Sequence, residues 1–216
     1  MTKTDNQLQQ DIEAELRWDP KVNAAQIGVT VQEGAVSLLG AVDSFPQKWA
    51  AEDAAKRVAG VRTVAQDLTV KILGGHARSD SDIAVATQRA LSWNVLVPKT
   101  VTAKVHDGIV TLEGRVSWNF EREAAANAVR YLTGVVSVGN NVTLVPQPSV
   151  GHVQEQVEAA LLRQARSDAH SIHIATSGAT VTLTGQATSL RAIEDAADAA
   201  WAAPGVSMVV DQMTVA

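Results

Sequence analysis

Five histidines, His76, His106, His152, His170 and His173, are the side chains best suited to ligate a metal or move a proton near neutral pH. They form no convincing set. His170 and His173 lie three apart, but alternation places the second on a strand, and no HExxH, paired-cysteine or EF-hand pattern accompanies them. The chain has no cysteine, which removes thiolate metal sites, cysteine nucleophiles and disulfides together. No G-x-S-x-G elbow is present, and Gly74-Gly75 lacks the Lys-Ser/Thr of a phosphate loop. We therefore expect no catalysis, no metal and no cofactor, with the histidines exposed or structural.

Aromatic and basic residues are more suggestive. Trp118, Phe120 and Arg122 fall together at a turn, where apolar and cationic side chains can meet a membrane interface or a partner groove. Lys99, Lys104, Arg115 and Arg130 complete the candidate set for a membrane or ligand-binding surface. Against this stand a staple role for Phe120 at a helix start and a solvated mixed surface for the cations. Residues 1–73 carry net −2, residues 74–147 net +1 and residues 148–216 net −4, so the middle third alone suits an anionic headgroup. Each such cation contributes only about 1 kcal/mol near an anionic membrane. Trp18 and Trp93 occupy matching places and are expected to lid small cores.

What positions these residues is a repeat. Val36-Ser-Leu-Leu-Gly-Ala-Val42, Val110-Thr-Leu-Glu-Gly-Arg-Val116 and Val181-Thr-Leu-Thr-Gly-Gln-Ala187 are each followed by an Ala-rich stretch and a Gly-Val pair, with 20 residues from glycine to glycine every time. Ahead of each, apolar residues recur at helical spacing: Leu8, Ile12 and Leu16; Ile83, Thr87 and Leu91; Val153, Val157 and Leu161. Thr4-x-x-Gln7 fits a capping box, Ser79-x-x-Asp82 resembles one, and Ser44-x-x-Gln47, with Pro46 in the first turn, suits a further helix start.

Alternation marks a strand at Ile27–Val31, Val101–Val105 and Ile172–Thr176, a tight turn, then the glycine-bearing strand. The third hairpin aligns as one residue longer. The Ala-rich segments predict a helix whose inward face is small: Ala51, Ala54 and Ala55; Ala125, Ala128 and Val129; Ala196, Ala199 and Ala200. A last strand has an apolar column broken at one place by Gln66, Asn140 and Asp211, polar residues expected to bond to backbone. The order is αββαβ, three times. The fold class is α+β: each copy is a three-stranded mixed sheet with two helices on one face. Expected boundaries are 1–73, 79–146 and 149–216, with linkers near Gly74-Gly75-His76 and Pro146-Gln147-Pro148.

The pattern Val105-His-Asp-Gly-Ile-Val-Thr-Leu-Glu-Gly-Arg-Val116, an Ala-rich helix, then Gly134-Val-Val-Ser-Val-Gly-Asn-Asn-Val-Thr-Leu144 resembles the BON domain (bacterial osmotic-stress and nodulation), here in three tandem copies. The resemblance implies a non-enzymatic protein linked to osmotic stress, binding anionic phospholipid or other hydrophobic surfaces. It also allows a protein-interaction or chaperone-like scaffold, or a small-ligand or potassium-sensing module. The chain has 216 residues, 46% hydrophobic and 19% charged, with formal net charge −5. That balance argues against disorder and against a nucleic-acid partner. A polar, acidic first twenty residues and the lack of an 18-residue apolar run lead us to expect a cytoplasmic protein, or a periplasmic one if a leader has been trimmed, peripheral to membranes at most. The partner is an anionic lipid surface or a client protein, and the oligomeric state stays open.

Overall fold

A computed structural model describes residues 3–72, 74–145, 157, 159 and 172–216. Its first copy runs α1 (Asp5–Trp18), β1 (Ile27–Gln32), β2 (Ala35–Val42), α2 (Phe45–Arg57) and β3 (Thr63–Val70). The second runs α3 (Asp80–Trp93), β4 (Thr102–His106), β5 (Ile109–Val116), α4 (Asn119–Arg130) and β6 (Ser137–Leu144). The third contributes β7 (Ile172–Ser177), β8 (Thr180–Ala187), α5 (Leu190–Trp201) and β9 (Met208–Val215). The stripe Val153/Val157/Leu161 lies outside the described residues except for Val157, which is helical and fully buried. The linker at 146–148 and His152 and His170 also lie outside them.

The hairpin strand holds the centre of each sheet, giving orders β1-β2-β3, β4-β5-β6 and β7-β8-β9. Pairing is antiparallel with the strand before and parallel with the strand after (β4–β5 against β5–β6, β7–β8 against β8–β9). Bonds from Arg62 N to Gly34 O and from Lys71 N to Val42 O give β2 and β3 the same parallel sense. All three sheets are therefore mixed, as expected.

The cores follow the period of the sequence. Leu8, Ile12 and Leu16 are buried along α1, and Ile83, Thr87 and Leu91 along α3. Leu38, Leu112 and Leu183, at the middle of the central strands, are fully buried. The second helix of each copy presses alanines on them: Ala51, Ala54 and Ala55 in α2, Ala125 in α4 and Ala200 in α5 have no exposed surface. Side chains this small let the helix backbone approach the sheet to a distance that larger residues would prevent. Capping boxes start α1 (Gln7 N to Thr4 Oγ1, 3.3 Å) and α3 (Asp82 N to Ser79 Oγ, 3.2 Å), each worth about 1 kcal/mol. At Ser44-x-x-Gln47 no box closes, because Gln47 Oε1 is buried without a hydrogen-bond partner.

The polar breaks in the last strands have a definite task. Gln66 Nε2 donates to Lys48 O (2.9 Å) and Asn140 Nδ2 donates to Arg122 O (2.9 Å), tying β3 to α2 and β6 to α4 at equivalent places. The Asp211 side chain has no N–H to give and keeps only the acceptor half, its Oδ1 accepting from Met213 N (2.9 Å) as Asn140 Oδ1 accepts from Val142 N (3.3 Å).

The third hairpin corrects an expectation. Ser177 pairs with Thr180 across a two-residue loop, as His106 pairs with Ile109 and Gln32 with Ala35. All three loops are equally long. What moves is the glycine: first in the loop at Gly178 (φ 59°), second at Gly34 and Gly108. Gly at the first position suits a II′ turn and Gly at the second a I′ turn, so two turn chemistries give one register.

The chain forms two compact units: residues 1–41, 47–69 and 147–216 make the first, and residues 42–46 and 70–146 the second. Compactness thus does not follow the copies one for one. The first and third copies share a unit, and the short turn ending β2 belongs with the middle copy, where Phe45 packs against the core built on Leu112, Val129 and Val142.

Candidate functional site

Between β5 and α4, Ser117 and Trp118 form a turn that Glu121 holds from inside the helix. Its Oε2 accepts from Ser117 N (2.8 Å) and Trp118 N (3.0 Å), so the backbone of the tip is fixed. Phe120 stands 52% exposed, its ring 6.4 Å from that of Trp118 and 26° from parallel. This is an offset aromatic pair at the surface. Phe120 therefore does not staple the helix start, since a staple must be covered. Arg122 Nε sits 3.6 Å from Glu123 Oε1, and its carbonyl takes the bond from Asn140.

The other candidate cations are scattered. Lys104 and Arg115 share the open face of the sheet, where Lys104 Nζ is 2.7 Å from Glu113 Oε2. Arg130 is half-buried at the far end of α4 from the tip, roughly 16 Å along a 12-residue helix. Lys99 is exposed in the loop between α3 and β4.

That loop is where the structure departs most from expectation. Trp93 ends α3 88% exposed, and Val95, 94% exposed, and Leu96 follow it into solvent. Trp18 at the end of α1 is 83% exposed. Neither tryptophan lids a core. The reason is geometric: the buried stripe of each helix ends at Leu16 or Leu91, and a residue two positions further points to the other side. Beside Trp93 a groove of about 630 Å³ is lined by Leu91, Val95, Val97, Pro98, Val101 and Ala103, with Lys99 at its rim. A groove of about 540 Å³ recurs in the first copy beside Leu16, Val22 and Ile27, lined also by Glu13 and Arg17. The signal for this place was in the sequence: after Trp93, Asn-Val-Leu-Val-Pro puts three large apolar residues into a connection that its proline and asparagine mark as a loop.

Asp80, the first residue of α3, accepts from Asp107 N (2.8 Å) and Gly108 N (2.9 Å) at the β4–β5 turn. Asp5 does the same at Glu33 N (2.8 Å) and Gly34 N (3.2 Å). Positive φ at both loop residues (50° at Asp107, 72° at Gly108) turns the two N–H groups to one side, where a single carboxylate spans them. The Gly108 and Asp107 N–H groups hold the Asp80 carboxyl below its ordinary range; slight desolvation opposes them and His106 assists.

A group so depressed contributes stability that is present above its ordinary pKa and lost as pH falls through the lowered value. The middle copy should accordingly lose thermal stability on acidification below about pH 4. Asp80→Asn should flatten that acid limb, and the carboxyl carbon resonance of Asp80 should titrate below that of an exposed aspartate.

Among the described residues, Asp80, His106 and Asp107 are also the group whose ligand atoms lie close enough, within 4.8 Å, to hold a metal ion. Both Asp80 oxygens already serve the turn, and the first copy builds the same clamp with Gln32 and Glu33 in place of His106 and Asp107. The clamp is structural.

No helix among the described residues is long and apolar enough to cross a membrane. The model of the BON domain family matches residues 4–72, 79–146 and 149–216. The chain is 25% identical over 143 residues to osmotically-inducible protein Y of Escherichia coli (strain K12), covering 64% of this chain and 71% of that one. It is similar to two structures of CdsD, a structural protein of the Type III secretion system of Chlamydia trachomatis. One is 15% identical with TM-score 0.25, covering 96% of this chain and 91% of that one. The other, of the C-terminal domain, is 14% identical with TM-score 0.27, covering 96% of each.

Proposed function

Because the chain belongs to the BON domain family, three copies of whose model span it, we propose that it is a non-enzymatic, stress-associated protein whose middle copy binds anionic phospholipid surfaces reversibly. The observation that carries this is the loop after α3. Trp93 and Val95 are held out in water and Leu96 is about half exposed, with Lys99 exposed in the same loop. Exposed apolar clusters of this kind mark contact surfaces, and tryptophan with lysine suits the boundary between headgroup and acyl chain. The Trp118/Phe120 pair, with Arg122, offers a further contact of the same chemistry. The likeness to osmotically-inducible protein Y supports the link to osmotic stress.

Few cations take part, so affinity is modest and salt-sensitive. Sedimentation with vesicles of phosphatidylserine and phosphatidylcholine should pellet the protein at about 50 mM salt and release it at about 0.5 M. Trp93→Ser with Leu96→Ser should weaken pelleting at least about tenfold, the loss expected even if both apolar contacts are only partly buried, and Phe120→Ser less. Failure to pellet at low salt rejects the lipid reading.

A second reading rests on the groove itself. Strand β4 is a sheet edge, so an extended apolar segment of a client protein could add to it and place side chains against Leu91 and Ala103. Capture of unfolded clients that is lost in Trp93→Ser, without any lipid binding, would favour it.

A further inference from the structure

The first unit joins two copies that are far apart in sequence, and the side-chain bonds described across their junction are ionic. Lys56 of α2 places Nζ 2.7 Å from Glu194 Oε1 of α5 and 2.8 Å from its own Glu52. Arg191 of α5 places Nη1 2.9 Å from Asp53 Oδ1 of α2 and Nε 3.2 Å from its own Asp195. The other oxygen of Asp53 accepts from Arg57 Nη1 (2.7 Å), and Arg57 also holds Glu15 and Asp19, each at 2.9 Å. Charges of alternating sign thus run from α1 through α2 into α5. A neutral backbone bond, Gly60 N to Thr188 O at 3.3 Å, lies alongside. Burial pulls the Lys56 ammonium down, yet Glu194 and Glu52 outweigh it and leave its pKa raised.

These pairs are partly open to solvent, with side-chain exposures of 24% and 42% for Lys56 and Glu194 and 41% and 18% for Arg191 and Asp53. Apart from them, the two copies carry charge of the same sign, since residues 1–73 and 148–216 are both net acidic. The two effects respond to different ranges of salt. Like-charge repulsion acts over long distances and is already screened near 0.1 M, where the Debye length is about 10 Å. Contact pairs persist there and weaken only as that length shrinks to about 3 Å near 1 M.

We propose that the α2–α5 junction is an ionic clasp that holds the first and third copies together at moderate salt and releases them as ionic strength rises toward 1 M. This goes beyond surface binding and does not depend on it.

The absence of cysteine makes the test direct, because two introduced thiols are the only ones present. Gln10→Cys in α1 and Gln186→Cys in β8, both at exposed positions, carry a donor and an acceptor dye. Energy transfer should fall between 0.1 and 1 M KCl, with the open population rising about tenfold, the size expected from losing two partly exposed pairs. Sucrose at matched osmolality should leave it unchanged. Lys56→Glu should lower transfer already at 0.1 M, and adding Glu194→Lys should restore it. Far-UV circular dichroism reports whether each variant is folded, and the salt series on the otherwise unaltered chain needs no charge change at all. Transfer that ignores KCl overturns the clasp, as does a response to sucrose as large as that to salt.

Discussion

Gly114→Ala is expected to cost the middle copy roughly 3 kcal/mol or more, enough to remove most of the stability of a domain this small. Gly114 lies in the central strand β5 with φ 143°, a conformation that side-chain-bearing residues rarely adopt. A methyl group there would run into the carbonyl oxygen of Thr100 and come within 3.0 Å of Val101 Cα. Both obstacles are backbone, and the chain entering β4 would have to move. Gly40 has the same relation to Gln26 in the first copy, with φ 120°. Gly139→Ala is the control. Its methyl would meet only the Thr111 side chain, at 3.8 and 4.0 Å, and its stability should be close to that of the parent. Thermal unfolding followed by near-UV circular dichroism separates the two, and equal melting for both variants would refute the assignment.

Asn140→Asp should destabilise the middle copy by about 2 kcal/mol. The change keeps the shape and removes the donor that bridges β6 to the Arg122 carbonyl at the start of α4. It leaves that carbonyl facing an anion. The acceptor half of the side chain, which takes Val142 N at 3.3 Å, survives, so the loss isolates the strand-to-helix bond. The third copy shows the outcome in place, with Asp211 keeping only the bond from Met213 N. Asp211→Asn should recover part of the missing bond, about 1 kcal/mol. Denaturant titration of the two variants gives changes of opposite sign. A loss on Asp211→Asn would mean that the residue type is not what matters.

Features set by residue type over a few positions were legible beforehand. The capping threonine and serine, the alternation of Val36, Leu38 and Val42 and the alanine face of α2 all follow from local chemistry, and the bonding of Gln66 and Asn140 to backbone 18 residues away follows from their being polar in an apolar column. Of the seven residues named for a surface, Trp118, Phe120 and Arg122 lie at the start of α4, Lys104 and Arg115 share the open sheet face, and Lys99 and Arg130 stand apart from both. Two positions of helical phase decided the fate of Trp93: hydrophobicity argued for burial and the direction of Leu91 argued against it. The Asp80 clamp escaped notice because its partners are 27 and 28 residues away, and an aspartate in a first helical turn is already explained by the helix dipole. The bond between Lys56 and Glu194 spans 138 residues, and no periodicity encodes such a meeting.

The interruption of the first unit by the second has a consequence for synthesis. Domains assemble as the ribosome delivers them, at about 5–20 residues per second. The whole middle copy must emerge between Arg57 and Leu190, so the acidic and basic side chains of α2 wait several seconds, fully hydrated, for the helix they will meet. Charged side chains are well hydrated while they wait, so this part of the junction adds no sticky surface to the nascent chain before its partner arrives.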